Sequence, residues 1–162
     1  MLNLKIETYL KFIFIISSIS IIFAYFVEYI LGHQPCNLCL IERIPYVLSI
    51  ALIILNYKFK KKEKTIILIL IITFVFSFMI SFYHFGIENG FFEESAVCGL
   101  KNAVEIISKE EILKQLQEKT VSCKDVTFRI FGFSLTAFNM LISLILSVLL
   151  IKMFKNYEKF EK

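Results

Sequence analysis

Apolar residues run in long blocks along this chain, and the polar ones collect between them. Stretches 12–31, 65–87 and 130–151 are each long enough to cross a hydrocarbon core of about 30 Å, which takes about 20 helical residues. Glu28, near the end of the first, is that block's one charge. A fourth block, 44–57, covers only about 21 Å at about 1.5 Å per residue. It spans only if Leu40, Ile41, Glu42 and Arg43 join its helix at the interfacial end, which puts a charged pair at membrane depth. The pattern predicts an all-α membrane protein. Its fold is a four-helix transmembrane bundle in a single domain over 1–162, with spans at about 12–31, 40–57, 65–87 and 130–151.

The lysines orient that bundle. Lys58, Lys60, Lys61, Lys62 and Lys64 fill the connection after the second span. Lys152, Lys155, Lys159 and Lys162 follow the fourth, Lys5 and Lys11 precede or open the first, and the connection around residues 32–39 has no Lys or Arg. Basic residues favour the cytoplasmic side, so both termini and the Lys-rich loop are expected inside, N-in and C-in. Two loops then face outward, the short one and a long one at about 88–129. The first block is too long for a signal-peptide core and lacks a small-residue cleavage site before Gly32, so it reads as a retained helix. In the long loop, Ala103, Val104, Ile107, Leu113 and Leu116 are spaced like one face of a short helix, packed on the bundle or lying in the lipid interface. Gly86, Gly90 and Gly99 leave the rest of the loop free to bend. A composition 57% hydrophobic, with 18 Phe, excludes an ordinary soluble domain. The net charge of +4 is no nucleic-acid signature, because the lysines cluster at span ends.

All four cysteines lie outside the apolar blocks: Cys36, Cys39, Cys98 and Cys123. A Cys-x-x-Cys pair can chelate zinc or form a redox disulfide. Structural zinc sites bring two close ligand pairs to one tetrahedron, whereas Cys98 and Cys123 stand far apart and no histidine occupies a zinc-finger position, so no metal is expected. An even count in an oxidising compartment fits two bridges, in any of three connectivities. Two inert staples are one reading. That suits Cys98 and Cys123, whose long loop gains about 3 kcal/mol on closure. It suits Cys36 and Cys39 poorly, because a bridge across so tight a turn is strained, and strained, exposed disulfides are the labile and catalytic ones. Cys39 is expected at the start of the second helix, with Arg43 one turn on. The helix dipole and the guanidinium should both favour its thiolate. Pro35 keeps the segment before Cys36 extended.

The segment Pro35-Cys36-Asn37-Leu38-Cys39-Leu40-Ile41-Glu42-Arg43 resembles the hallmark of the DsbB family, bacterial inner-membrane thiol–quinone oxidoreductases. The order of parts is similar along nearly the whole chain: span, Cys-x-x-Cys, span, basic loop, span, long loop with two cysteines, span. Tyr83-His84-Phe85-Gly86-Ile87-Glu88, and the stretch from Cys123 to Asn139 with Phe131-Gly132-Phe133-Ser134, resemble family segments too; Phe128 stands where many members carry Trp. The resemblance implies a soluble DsbA-type partner with a thioredoxin fold in the periplasm, and a membrane quinone, ubiquinone or menaquinone, as acceptor. By position, Cys98 would form the mixed disulfide with the partner, Cys123 would exchange with Cys36, and Cys39 would be the sulfur nearest the quinone. Reoxidising a DsbA-type disulfide from a glutathione-like pool would be uphill by at least about 60 mV, about 3 kcal/mol, which a stronger lipid-soluble acceptor avoids.

Arg43 is then a candidate for binding a quinone oxygen, beside its plainer reading as an interfacial anchor. Glu42 is expected to pair with Arg43, relay protons or cap the helix start, and His84 to hydrogen-bond the quinone or shuttle a proton. Glu28 and His33 read as interfacial and loop residues. Two other classes fit some of these features. Vitamin K epoxide reductase-like proteins share four spans and four cysteines, but their Cys-x-x-Cys comes late in the chain. A non-catalytic membrane protein with structural disulfides would keep Cys36–Cys39 oxidised whatever the quinone supply.

Overall fold

The computed structural model describes residues 2–59, 63–94, 98, 122–124, 128–130 and 132–161. Helix α1 (Leu2–Tyr25) runs into a π-helical turn, Phe26–Ile30. A short helix α2 (Asn37–Ile41) and helix α3 (Ile44–Lys58) follow, then α4 (Glu63–Glu88). A hairpin of β1 (Arg129–Ile130) and β2 (Phe133–Ser134) leads into α5 (Leu135–Glu161). Among the described residues, four stretches are long and apolar enough to cross a membrane: Ile6–Ile30, Asn37–Lys58, Glu63–Glu88 and Leu135–Asn156. The chain is a mostly helical four-helix bundle, as its pattern predicts.

Three details depart from that pattern, each for a local reason. The second span is two helices with a turn at Glu42 and Arg43. Pro45 sits in the first turn of α3 and has no N–H to give the Ile41 carbonyl, so one continuous helix cannot form. The fourth helix begins at Leu135 rather than 130. The residues before it pair as an antiparallel hairpin, with Arg129 opposite Ser134 and Ile130 opposite Phe133, and Gly132 takes the left-handed φ of +85°. The Ser134 hydroxyl then caps α5 by accepting from the Ala137 N–H at 3.3 Å. Gly86 is no bend; it lies inside α4, where its missing Cβ leaves room for the Phe92 ring, and the N–H groups of Phe91 and Phe92 both donate to its carbonyl. The expected helix through Ala103 to Leu116, and Gly99, lie outside the described residues.

Helix α4 packs along α5, α1 along α3, and α3 against α4. The buried centre holds Leu10, Ile13, Ile53, Ile67, Leu70, Phe74, Leu146 and Leu150. Small hydroxyl residues let the helix backbones approach: Ser49 donates to Ser17 at 2.9 Å, and Ser77 and Ser143 share a hydrogen bond of the same length. The outside is apolar, with Ile15, Ile22, Ile72, Phe76 and Met79 all exposed. A surface of that kind is made to meet lipid.

Candidate functional site

At the end of the bundle opposite Lys58 and Lys64, the last turns of α1 and α4, the α2–α3 junction and the start of α5 surround a cavity of about 320 Å³. Its wall brings together Cys36, Cys39, Glu42, Arg43, His84 and Cys123, six residues that the sequence singled out. Pockets that take small organic ligands are about 300–1,000 Å³, largely apolar, with a few convergent polar groups. Ile21, Phe23, Ala24, Phe138 and Ile142 supply the apolar part.

Cys36 is the N-cap of α2, extended at φ −73° and ψ 168°, and its sulfur accepts from the Cys39 N–H at 3.2 Å. The two sulfurs lie 2.6 Å apart as free cysteines, Cys36 buried and Cys39 partly so. This corrects the expectation for Cys39: the helix N–H meets the Cys36 sulfur, and Arg43 is committed elsewhere. The Cys39 thiol beside it is the main reason the Cys36 thiol is held below the ordinary thiol range; burial opposes this, and His84 and then the Cys39 N–H add to it.

His84 stands between Cys36 and Glu42. Its Nε2 is 3.5 Å from the Cys36 sulfur, and its Nδ1 is 2.9 Å from Glu42 Oε1. The hydrogen-bond partners decide the tautomer. Thr136 gives its hydroxyl proton to Glu88 Oε1 at 2.7 Å, so towards Nδ1, 3.4 Å away, it can only accept. Nδ1 therefore carries hydrogen, which Glu42 accepts, and Nε2 faces the sulfur. The other Glu42 oxygen accepts from Asn139 Nδ2 at 2.8 Å. That amide also donates to Ser81 at 2.7 Å, and its oxygen accepts from the Tyr46 hydroxyl at 2.5 Å. A chain of satisfied hydrogen bonds thus runs from Cys36 into the bundle.

Arg43 faces the other way. Its guanidinium donates to Glu28 at 2.5 Å and stacks over the Tyr25 ring, 5.1 Å from the centroid. Pairing with Arg43 was one of three roles open to Glu42, and it is not made: at the α2–α3 turn Glu42 goes to His84 and Arg43 to Glu28. The π-helical turn places Glu28 opposite Arg43; such turns are rare and recur at functional sites.

Of the three possible connectivities, the structure has Cys98 joined to Cys123, with Cα atoms 5.5 Å apart. That bridge and Cys36 share one buried cluster with Leu38 and Ile87, and Cys39, Ile41, Ile80 and Tyr83 pack against it. The Glu94 carboxylate secures the Cys123 turn by accepting from the Ser122 hydroxyl and, at 3.1 Å, from the Lys124 N–H. His33 is more than a loop residue: its ring packs 5.2 Å from that of Phe128, tying the two loops together.

Sequence reasoning gave no role to Asn139, Thr136 or Tyr46, and it took Glu88 for a loop acid. The signal for Asn139 was available, since a polar side chain inside an apolar span faces the bundle interior. Glu88 was obscured because it is the last residue of α4, one position beyond the apolar block.

Residues 7–153 match the family described as disulfide bond formation protein DsbB. A Rickettsia prowazekii (strain Madrid E) protein, "Uncharacterized protein RP370", is 29% identical over 137 residues, covering 83% of this chain and 80% of that one. No solved structure matches the chain. Because the match runs from α1 through the last span, and so takes in both cysteine pairs and every residue of the hydrogen-bond chain, this protein belongs to the DsbB family, multi-pass membrane redox proteins of disulfide-bond formation.

Proposed function

We propose that this protein reoxidises a DsbA-type thiol oxidase of thioredoxin fold and passes the electrons to membrane quinone, ubiquinone or menaquinone, so sustaining disulfide formation in exported proteins. It does so in the bacterial cytoplasmic membrane, its basic ends in the cytoplasm and its cysteine end in the periplasm. The observation that carries this reading is the packing of both cysteine couples into one cluster beside a cavity that also holds Arg43 and His84.

The exchange balances without an outside oxidant until its last stage. A thiolate of the reduced partner attacks Cys98; the bond to Cys123 breaks, and Cys123 leaves as thiolate. Cys123 attacks Cys36, and the Cys36–Cys39 bond breaks, freeing Cys39. The partner's second thiol closes its own disulfide and releases Cys98. Cys98 returns to Cys123 and displaces Cys36. The partner has lost two electrons and two protons, which Cys36 and Cys39 now hold as a dithiol.

The cavity fits a quinone head: an apolar wall, a cation in Arg43 and the two sulfurs all converge there. A quinone bound in it supplies a two-electron, two-proton acceptor. Arg43 and Glu42 hold and orient groups on that wall, Cys39 is the sulfur that donates, and His84 Nε2 receives the proton of Cys36. Purified protein given a reduced DsbA-type substrate should reduce quinone, and Cys39→Ser should stop it. Undiminished turnover in that variant would remove the reading.

A further inference from the structure

Three ligating atoms of the cavity do more than redox chemistry requires. The sulfurs of Cys36 and Cys39 and an imidazole nitrogen of His84 all lie within 4.8 Å of one another. Around a tetrahedral ion with bonds of about 2.3 Å to sulfur and about 2.0–2.1 Å to nitrogen, such atoms stand about 3.5–3.8 Å apart. His84 Nε2 is already 3.5 Å from the Cys36 sulfur. The two sulfurs need only open from 2.6 Å to about 3.8 Å, within reach of rotation about the Cys39 side chain. Neither the cysteine spacing nor a histidine at zinc-finger spacing marks such a site in the sequence, because the third ligand comes from another helix, 48 residues after Cys36.

The imidazole is also held as metal sites hold theirs. Glu42 accepts from Nδ1–H at 2.9 Å, which fixes the ring and leaves Nε2 to face the sulfurs; carboxylate–histidine–metal arrangements recur in zinc proteins for that reason. The fourth position opens toward the cavity, where Glu88 Oε1 stands 3.9 Å from Nε2. Three protein ligands and an open place make an exchangeable site rather than a closed structural one.

The geometry points to a binding site for a thiophilic divalent cation of the Zn²⁺ class, formed by Cys36, Cys39 and His84 in the dithiol form of the protein. Binding forms two metal–sulfur bonds and one metal–nitrogen bond, and releases the thiol protons; no electrons move. The disulfide form offers no thiolates, so the ion selects the reduced state and withholds it from reoxidation. The inference rests on the proposed function only in requiring that Cys36 and Cys39 can be a dithiol.

The test uses the full chain in detergent, reduced with a phosphine, freed of reductant without oxygen and titrated with Co²⁺ alone. We expect one ion per chain with thiolate-to-cobalt charge-transfer absorption, displaced by Zn²⁺ and lacking in the oxidised protein. Cys39→Ser and His84→Ala should each weaken binding at least tenfold, with melting curves checking that each variant is folded. The double variant Cys98→Ser/Cys123→Ser should bind as the parent does. Absence of the absorption in the reduced parent, its full survival in Cys39→Ser, or its loss in the double variant would each overturn the site. Quinone reduction in metal-free buffer is a separate readout, so failure of either idea leaves the other standing. Under turnover, Zn²⁺ should slow quinone reduction and a chelator restore it; a rate indifferent to Zn²⁺ at saturating levels would equally count against the site.

Discussion

Replacing Glu42 by glutamine keeps the side chain's volume but removes an acceptor from a point where two N–H donors converge. The carboxylate uses one oxygen for His84 Nδ1–H and the other for Asn139 Nδ2. Glutamine has a single oxygen, so one donor must face its NH₂ group. Asn139 cannot invert freely to relieve this: its oxygen is taken by the Tyr46 hydroxyl, and its amide also serves Ser81, whose own proton goes to the Ser77 carbonyl. A hydrogen bond to a charged group contributes about 1.5–3 kcal/mol. At about 1.4 kcal/mol per factor of ten, loss of the hold on His84 should slow quinone-linked oxidation of a DsbA-type substrate about 10- to 100-fold. His84→Gln should fall at least as far, and the double variant Glu42→Gln/His84→Gln no further than His84→Gln alone, because Glu42 acts through the imidazole. Parental turnover in folded Glu42→Gln, or a double variant equal to the product of the singles, would refute the orienting role.

Four further outcomes follow from the same contacts. Alkylation of Cys36 in the reduced chain should reach half its maximal rate well below pH 8.5, since the thiolate is favoured by Cys39 and His84, and should fall as acid protonates it; a profile centred on the ordinary thiol value of about 8.5 would contradict the hydrogen-bonded sulfur. Breaking the Cys98–Cys123 bridge by double serine substitution opens a loop of 25 residues and should cost about 3.5 kcal/mol on the chain-entropy model, read as a lower melting temperature in detergent. Glu28→Ala leaves the Arg43 guanidinium, whose side chain is 14% exposed, without its carboxylate, and should cost about 1–3 kcal/mol by the same measurement. Ser143→Leu forces bulk between α4 and α5 where Ser77 and Tyr46 close in, and should cost about 1–3 kcal/mol; an unchanged melt would mean those helices have slack.

Much of this arrangement was legible in the residues themselves. Apolar block length alone predicts the four helices, because a bilayer demands about 20 residues whatever the neighbours. Cys36, Cys39, Glu42 and Arg43 stand in one short segment, so their sharing a site needed no tertiary knowledge. What stayed hidden depends on rotation and register between helices. Glu42 turns to His84 and Arg43 to Glu28, and each of those partners comes from another helix, 42 and 15 residues away in sequence. Asn139 meets Glu42 from 97 residues away, a contact no local pattern encodes. Which sulfur receives the helix N–H turned on one position: Cys36 as cap, not Cys39 within the turn.

The underwound stretch at Phe26–Ile30 has a mechanical corollary. Each residue of an ordinary α-helix advances the side chain by about 100°. A π-helical turn takes up one residue more than an α-helical turn, so deleting one residue there would let α1 wind regularly and leave the chain beyond it, with His33 and Pro35, close to its present bearing. The change would fall within the stretch itself, where the wide turn holds Glu28 opposite Arg43 and a regular one would rotate the carboxylate off the guanidinium. One extra residue in the first span therefore fixes the seat of a single ion pair while sparing the approach to the sulfurs.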